Sequence, residues 1–246
     1  MDRLVYVAMS GAKEILRAQA ANNHNLANAS TTGFRADLSA FQTQNVVGAG
    51  LPSRSYATND TVGWDASSGS IEATGRDLDV AIKGPGWLAV QASDGTEAYT
   101  RAGDLRVDPT GVLTTVTGNP VMGDSGPVTI PPSSSVTVGT DGTISVVPLG
   151  QQAKTVSAVA RIKLVNPPAS DLVRGADGLF RLASGGDAPA DAVVKLVGGA
   201  LESSNVNIAE TMTNMIELAR NYDLQVKAMH AAEETASSST KLLTTG

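Results

Sequence analysis

Glycine and proline divide this chain of 246 residues into three zones. All 11 prolines lie between Pro52 and Pro189, and 22 of the 25 glycines lie between Gly48 and Gly199. Because both residue types interrupt helices and mark tight turns, the middle of the chain is predicted to be β-rich and both ends helical. The distribution therefore predicts an α+β fold in which terminal helices flank a central all-β domain.

The composition is that of an ordinary globular protein and excludes several functional classes. The chain has no cysteine, so structural disulfides, thiolate metal sites and a cysteine nucleophile are excluded. It carries 18 basic and 24 acidic side chains, a formal net charge of -6, and no zone is basic, which argues against nucleic-acid binding. The apolar run from Leu4 to Met9 is too short for a secretory signal, and no stretch approaches the roughly 18 apolar residues of a membrane span. We therefore expect any export to occur without a cleaved signal.

The C-terminal zone has the clearest periodicity. Apolar residues recur there at alternating steps of three and four, which is typical of a coiled-coil seam. Asn207 followed by Glu210 has the spacing of a capping box, so the helix is predicted to start there. The predicted seam contains Ile208, Met212, Met215, Ala219, Tyr222, Val226 and Met229.

The N-terminal zone is predicted to be helical to about Asn28, and Thr31-Thr32-Gly33 then stops the helix. Its face is dominated by small residues, which allow a partner backbone to approach closely. Neither terminal helix can bury its apolar stripe alone, so we expect the two to pair as a coiled-coil-like stalk. The predicted N-terminal seam contains Val5, Ala8, Ala12, Ile15 and Leu26.

The middle zone alternates short apolar runs with turn signals at spacings of roughly 8 to 15 residues, which is typical of an all-β module. Turn signals include Gly84-Pro85-Gly86, Asp94-Gly95, Asp108-Pro109-Thr110-Gly111, Asp141-Gly142 and Asp177-Gly178. The predicted domains are an N-terminal helix at residues 1–35, an extended connector at 36–74, a central β domain at 75–199 and a C-terminal helix at 200–246.

No constellation of residues predicts catalysis, a metal or a cofactor. The two histidines, His24 and His230, each lie in a terminal helix without a nucleophile nearby, which favours surface or interface roles. Asp77 and Asp79 fall on one face of a strand, where solvated carboxylates are favoured over a metal site. Trp87 lies in an apolar run and is predicted to pack in the core rather than against a sugar. We therefore expect no enzyme activity, cofactor, metal or small-molecule substrate.

The two helices favour an assembly subunit, because their apolar stripes exceed what one chain can bury. A closed two-helix stalk within one chain is the alternative. Two further functional classes remain open. One is a polysaccharide-binding β module that uses Trp64 and Trp87, and the other is a hydrolase that uses His24 or His230.

Motifs along nearly the whole chain resemble those of the flagellar rod and hook family. The N-terminal set is Asn25-Leu26-Ala27-Asn28, Thr31 and Gly33-Phe34-Arg35. The C-terminal set is Leu201-Glu202-Ser203-Ser204-Asn205-Val206-Asn207, Glu210, Met215-Ile216, Arg220 and Tyr222. The middle set includes Leu78-Asp79-Val80-Ala81-Ile82, Tyr99-Thr100-Arg101 and Gly103. The opening Met1-Asp2-Arg3-Leu4 and the Pro85-Gly86-Trp87 segment look most like the proximal-rod members, with distal-rod and hook-type subunits as alternatives.

The resemblance implies a non-enzymatic structural subunit of the bacterial flagellar basal body. It also implies export through the flagellar type III apparatus and helical packing, with itself and with other rod subunits, into the periplasmic drive shaft that transmits torque. On this basis Gln19, Asn22, Asn25 and Asn28 fix the register between subunits, or Asn28 caps its helix. The predicted assembly interface comprises Val5, Ala8, Ala12, Ile15, Asn25, Leu26, Asn28, Gly33, Phe34, Ile208, Met212, Met215, Ile216, Ala219, Arg220, Tyr222, Val226 and Met229.

Overall fold

The computed structural model describes residues 3–45, 55–150 and 156–244, with side chains described for all of these except 3–4, 42–45, 55–62, 239–240 and 242–244. The chain forms two compact units. The first, called the helical unit, comprises Met1–Ala29, Ala36–Asp65 and Val206–Gly246. The second, called the β unit, comprises Ser30–Arg35 and Ala66–Asn205. The predicted α+β class is confirmed.

Two long helices belong to the helical unit. α1 (Arg3–Ala27) has 25 residues and α2 (Ile208–Thr244) has 37, which correspond to about 38 Å and about 56 Å. α2 starts where the capping pattern predicts, because the Asn207 side chain accepts hydrogen bonds from the backbone N–H groups of Ala209 and Glu210 at 3.1 and 3.3 Å. In the part of the chain that the structure describes, neither helix is long and apolar enough to cross a membrane.

α1 and α2 pack against each other in opposite directions. The Asn22 side chain donates a hydrogen bond to the Thr211 carbonyl at 2.8 Å. Gly11 lies against the Gln225 side chain, and a Cβ atom added to this glycine would be 3.2 Å from the Gln225 Cδ atom. The earlier residue of α1 thus meets the later residue of α2, which makes the pair antiparallel.

Paired strands occupy much of the region that the sequence predicts to be an extended connector, residues 36–74. β1 (Asp37–Asn45) and β2 (Ser55–Trp64) form an antiparallel pair in the helical unit. β3 (Ile71–Ala73) belongs to the β unit. Residues 46–54 of the predicted connector lie outside the described residues. The strands were not predicted because this Ser-, Thr- and Asn-rich sequence has little polar–apolar alternation.

The other strands of the β unit are short and separated by tight turns. They are β4 (Val80–Lys83), β5 (Trp87–Gln91), β6 (Glu97–Thr100), β7 (Leu105–Val107), β8 (Leu113–Thr115), β9 (Met122–Gly123), β10 (Gly126–Pro127), β11 (Ser133–Val138), β12 (Thr143–Pro148), β13 (Ser157–Arg161), β14 (Leu164–Val165), β15 (Leu172–Arg174), β16 (Phe180–Leu182), β17 (Lys195–Gly198) and β18 (Ala200–Glu202). β18 falls within residues 200–246, which are predicted as the C-terminal helix, so α2 begins later than that boundary.

The strands of the β unit enclose one hydrophobic core. The largest sheet has the order β14-β5-β6-β16-β15, and a second sheet has the order β11-β12-β13. β17 pairs with β4, and β18 pairs with β3, so strands from the two ends of the unit are neighbours. The core includes Val80, Ile82, Leu88, Val90, Leu113, Val121, Ile144, Val146, Ile162 and Leu196. Trp87 is 5% exposed, which confirms its predicted core position.

Three turns of the β unit use the same hydrogen-bonding arrangement, and all three coincide with predicted turn signals. In each, an aspartate carboxylate accepts hydrogen bonds from the backbone N–H and the hydroxyl of a threonine two residues later. The pairs are Asp94 with Thr96, Asp108 with Thr110 and Asp141 with Thr143. Because these bonds favour the ionised form, they lower the pKa of each aspartate.

Candidate functional site

Each helix of the helical unit has one buried face. On α1 the buried residues include Ala8, Gly11, Ala12, Ile15 and Ala18, all but one of which are small. On α2 the buried and half-buried residues recur at alternating steps of four and three, which places them on one side of the helix. They are Thr211, Met215, Leu218, Tyr222, Gln225, Met229, Ala232 and Ala236, and Val226 next to Gln225 is also half-buried.

This buried face of α2 differs from the predicted seam. Ile208, Met212 and Ala219 are exposed, although the sequence pattern placed them on the same seam as Met215 and Tyr222. Polar residues explain the difference. Thr211 and Gln225 occupy the buried face, where they meet Asn22 and Gly11 of α1, and a pattern based on apolar residues cannot place them there.

A second apolar stripe remains exposed on each helix after the two helices have paired. On α1 the exposed residues Tyr6, Met9 and Leu16 are separated by three and seven positions, so they share one side. On α2 the exposed residues Ile208, Met212 and Ile216 are each four positions apart. These six side chains are 48–55% exposed. We call the two sets the outer stripe of α1 and the outer stripe of α2.

The structure distributes the predicted interface residues among four environments. Those buried within the helical unit are Ala8, Ala12 and Ile15. Those half-buried in it are Val5, Asn25, Leu26, Asn28, Met215, Tyr222, Val226 and Met229, and those exposed on it are Ile208, Met212, Ile216, Ala219 and Arg220. Gly33 and Phe34 belong to the β unit instead. The exposed group is therefore the part of the predicted interface that the helix pair leaves uncovered.

The polar residues near the end of α1 make contacts within the helical unit. The Asn25 amide donates to the Asp37 carbonyl at 2.9 Å and accepts from the Asp37 N–H at 2.8 Å, so it pairs with the start of β1 as a neighbouring strand would. His24 Nδ1 lies 2.6 Å from the Asp37 carboxylate. The Asn28 side chain donates to the His24 carbonyl at 2.9 Å, which caps the end of the helix.

A fully buried carboxylate joins distant parts of the β unit. Glu202 Oε1 accepts hydrogen bonds from Arg35 Nη2 at 2.6 Å and from the Gly69 N–H at 3.0 Å. Glu202 Oε2 accepts from Arg101 Nη1 at 2.7 Å, and Arg101 Nη2 donates to the Gly84 carbonyl at 2.7 Å. The side chains of Arg35 and Glu202 are 0% exposed, and that of Arg101 is 3% exposed. We call Arg35, Arg101 and Glu202 the clasp.

The clasp holds two positive charges and one negative charge. Burial lowers the pKa of Arg101, Glu202 opposes this effect, and the like charge of Arg35 adds to it. Among the described residues, Arg35 Nε and Nη1 and Arg101 Nε have no hydrogen-bond acceptor. The ring of Trp87 lies beside both guanidinium groups, with its centroid 6.0 Å from Arg35 Cζ and 5.5 Å from Arg101 Cζ. The ring face therefore stabilises the excess positive charge.

Aromatic rings and a third arginine extend this cluster. Trp87 packs against Phe180 with ring centroids 4.6 Å apart. Arg174 Cζ lies 5.0 Å from the Phe180 ring centroid and 4.8 Å from that of Phe34. Arg174 also donates a hydrogen bond to the Arg35 carbonyl. Phe34, a predicted interface residue, thus has a defined packing role within the β unit.

Two glycines allow the backbone to approach the clasp closely. Gly33 has a φ of +67°, and a Cβ atom there would lie 2.3 Å from the Arg101 carbonyl carbon. A Cβ atom on Gly69 would lie 2.0 Å from the Ser203 carbonyl oxygen. A Cβ atom cannot lie this close to a backbone atom without displacing it, so both positions require glycine. The sequence motifs contained Gly33, Arg35, Arg101 and Glu202, but no spacing along the chain could indicate that they meet.

The two carboxylates considered for acid-base or metal chemistry, Asp77 and Asp79, do not share one exposed face. Asp79 is buried, so its predicted position on an exposed face is wrong: Thr74 Oγ1 and Arg76 Nε donate to its carboxylate at 2.6 and 2.7 Å. Asp79 lines a cavity of about 380 Å³ together with Arg76, Asp77, Leu78, Leu105 and residues 133–136. No group of three or more potential metal ligands occurs within residues 3–45, 55–150 and 156–244.

Two family models match this chain. The flagellar hook protein FlgE/F/G D1 domain matches residues 81–146, and the flagellar basal body rod FlgEFG protein C-terminal model matches residues 197–242. The flagellar basal-body rod proteins FlgF of Escherichia coli (strain K12) and Salmonella typhimurium are each 43% identical to it over 249 residues, which cover 99% of both chains. The flagellar basal-body rod protein FlgG of Buchnera aphidicola subsp. Schizaphis graminum is 32% identical over 239 residues, 86% of this chain and 88% of its own length.

Proposed function

This chain belongs to the family of flagellar basal-body rod proteins, and from that membership we propose that it is a structural, non-catalytic subunit of the basal-body rod, of the proximal type. The observation that carries the proposal is the pair of outer stripes. Each leaves three large apolar side chains about half exposed on a helix that is already paired. Such stripes favour association with further helices.

The outer stripes have the geometry that helix packing between subunits needs. Burying a half-exposed side chain of this size contributes about 1 kcal/mol, so the six together favour association by several kcal/mol. Their spacing of three, four and seven residues matches the repeat of packed helices. We therefore propose that α1 and α2 form a coiled-coil-like inner layer with the helices of neighbouring subunits.

Such a helical layer can transmit torque along the rod. Interdigitated side chains in a close-packed helical layer resist sliding and twisting, because any displacement opens voids or forces overlap. The partners are copies of this chain and other rod subunits, whose matching helices would supply complementary stripes.

Membership of the family also suggests where the subunit is located and how it is exported. We propose that the assembled rod stands in the periplasm and that the chain reaches it through the flagellar type III export apparatus without cleavage. Cell fractionation of a strain that lacks this apparatus tests the route. The intact chain is expected to stay in the cytoplasm of that strain, and its appearance in the periplasm would contradict the proposal.

A charge placed in the outer stripe of α2 tests the proposed assembly. The variant Ile216→Asp changes a side chain that is 55% exposed, so the purified protein should keep its circular dichroism spectrum and melting temperature. In the rod, however, the carboxylate would be buried among apolar side chains. Isolated basal bodies from cells that express Ile216→Asp are therefore expected to lack this subunit on immunoblots.

Asn221→Asp is the matched control, because it adds the same charge at an exposed polar position of α2 outside the outer stripe. It should be incorporated normally. Met215→Asp makes a second comparison, since Met215 lies on the buried face and this variant should weaken the helix pair in the free protein. Incorporation of Ile216→Asp at the level of Asn221→Asp would disprove the role of the outer stripe.

A further inference from the structure

The last residues of the β unit pair with its earliest strands. β17 pairs with β4, and β18 pairs with β3. The Gly33 N–H donates to the Glu202 carbonyl at 2.8 Å, and the Asn205 N–H donates to the Phe34 carbonyl at 3.3 Å. Leu196 and Ala200 of the same segment are buried. Residues 195–205, which we call the closing segment, therefore join Gly33 and Phe34 to β3 and β4, all of which lie more than 100 positions earlier in the chain.

The closing segment contributes a buried negative charge in addition to strand pairing. Before Glu202 is in place, the clasp contains two arginines and no carboxylate to neutralise them. Burying two like charges without a counter-charge costs several kcal/mol, even where an aromatic ring faces them. A β unit that lacks the closing segment would also expose unpaired edges of β3 and β4. Both effects oppose partial folding.

We infer that the closing segment controls folding of the entire β unit, which has no stable form until residues 195–205 have joined it. This inference goes beyond the proposed function and does not depend on it. Because the closing segment contains the last two described strands of the β unit in chain order, a chain made from its N-terminus keeps the whole β unit unfolded until residues 195–205 are available. Glu202 is the residue that couples the two ends of the unit.

Pulsed hydrogen exchange during refolding of the full-length protein tests the order of folding. If the closing segment controls the unit, the backbone amides of β5 and β6 gain protection at the same rate as those of β17 and β18. Protection of β5 and β6 about tenfold earlier would overturn the inference, because it would reveal a stable partly folded unit.

Native-state exchange of full-length Glu202→Gln tests the role of the charge. Protection is expected to fall roughly 100-fold or more in β5, β6 and β18 alike, because the uncompensated arginines destabilise the entire unit. Glu72→Gln is the matched control, since Glu72 is exposed on β3 opposite Leu201, and it should change protection less than about threefold. A loss confined to β18 would contradict the inference.

A third variant covers the case in which Glu202→Gln does not fold. Adding Arg35→Met and Arg101→Met removes both buried positive charges while keeping side chains of similar length. This triple variant is expected to regain protection in β5 and β6, because an apolar cluster can replace a buried ionic one. If the triple variant stays as unprotected as Glu202→Gln, the buried charge is not the reason for coupled folding.

Discussion

Arg35 Nη2 and Glu202 Oε1 lie 2.6 Å apart, although 167 positions separate the two residues along the chain. Both side chains are fully buried, so the ion pair is shielded from water and salt. It connects the segment by which the chain enters the β unit with the segment by which it leaves. The N-terminal and C-terminal sequence motifs that resemble the rod family thus meet physically in one cluster.

The charge count of the clasp predicts unequal effects of removing its members. Glu202→Gln leaves two buried arginines without a carboxylate and is expected to reduce the free energy of unfolding by about 3–5 kcal/mol. Arg101→Met leaves the Arg35–Glu202 pair balanced and loses hydrogen bonds to Glu202 and Gly84, so it should cost only about 1–3 kcal/mol. Urea unfolding followed by tryptophan fluorescence measures both values, in a Trp64→Phe background in which Trp87 is the remaining tryptophan. Equal costs would show that hydrogen bonds, rather than net charge, dominate the clasp.

Gly33 is predicted to be irreplaceable for two separable reasons. An alanine there must adopt a φ of +67° and also place its Cβ atom 2.3 Å from the Arg101 backbone. We expect Gly33→Ala to lower the free energy of unfolding by at least about 3 kcal/mol. Gly75 has a similar φ of +72° but no atom within 4 Å of the position of a Cβ, so Gly75→Ala should cost only about 1–2 kcal/mol. Similar losses in the two variants would mean that the Arg101 backbone moves aside freely.

Sequence patterns predicted the fold where the physical signal is local. The helix start at Asn207 and the Asp–Thr turns follow from side-chain hydrogen bonds to nearby backbone, and both were found. Which face of α2 is buried was less predictable. Thr211 and Gln225 lie on the buried face because they contact Asn22 and Gly11 of α1. A scale of residue hydrophobicity contains no such information.

The clasp could not be predicted for a related reason. Arg35, Arg101 and Glu202 are charged residues, which are exposed in most proteins, and their burial depends on pairing across the whole β unit. The sequence motifs identified these positions without a role for them. Only the three-dimensional arrangement brings them together around Trp87.

Asn25 is predicted to hold the first strand of the helical unit against the end of α1. Asn25→Ala removes both hydrogen bonds to the Asp37 backbone and is expected to cost about 1–3 kcal/mol locally. Hydrogen exchange of the Asp37 amide should therefore accelerate. Asn23→Ala, at an exposed position on the same helix turn, is the control and should leave this amide unchanged. An Asp37 amide that stays protected in Asn25→Ala would show that the strand is held by other contacts.

Asp104 is predicted to make the β unit less stable as pH rises. Burial raises the pKa of Asp104 above its ordinary value of 3.8, and the nearby negative charge of Asp79 raises it further, although Arg76 and Arg106 oppose this. A carboxyl with a raised folded-state pKa binds its proton more tightly in the folded protein. Its contribution to stability is therefore fully present below the ordinary value and is lost as pH rises through the raised pKa.

Asp104→Asn removes this titration and tests its sign. The variant should be more stable than the unsubstituted protein at pH 7, because it no longer buries a carboxylate beside Asp79. The difference should shrink as pH falls towards 4, where Asp104 takes up its proton. Urea midpoints measured from about pH 4 to about pH 7 give the difference directly, and titrations common to both proteins cancel in it. Asp77→Asn, at an exposed neighbouring position, should show no such trend. A stability difference for Asp104→Asn that is the same at every pH would mean that Asp104 does not titrate differently in the folded and unfolded chains.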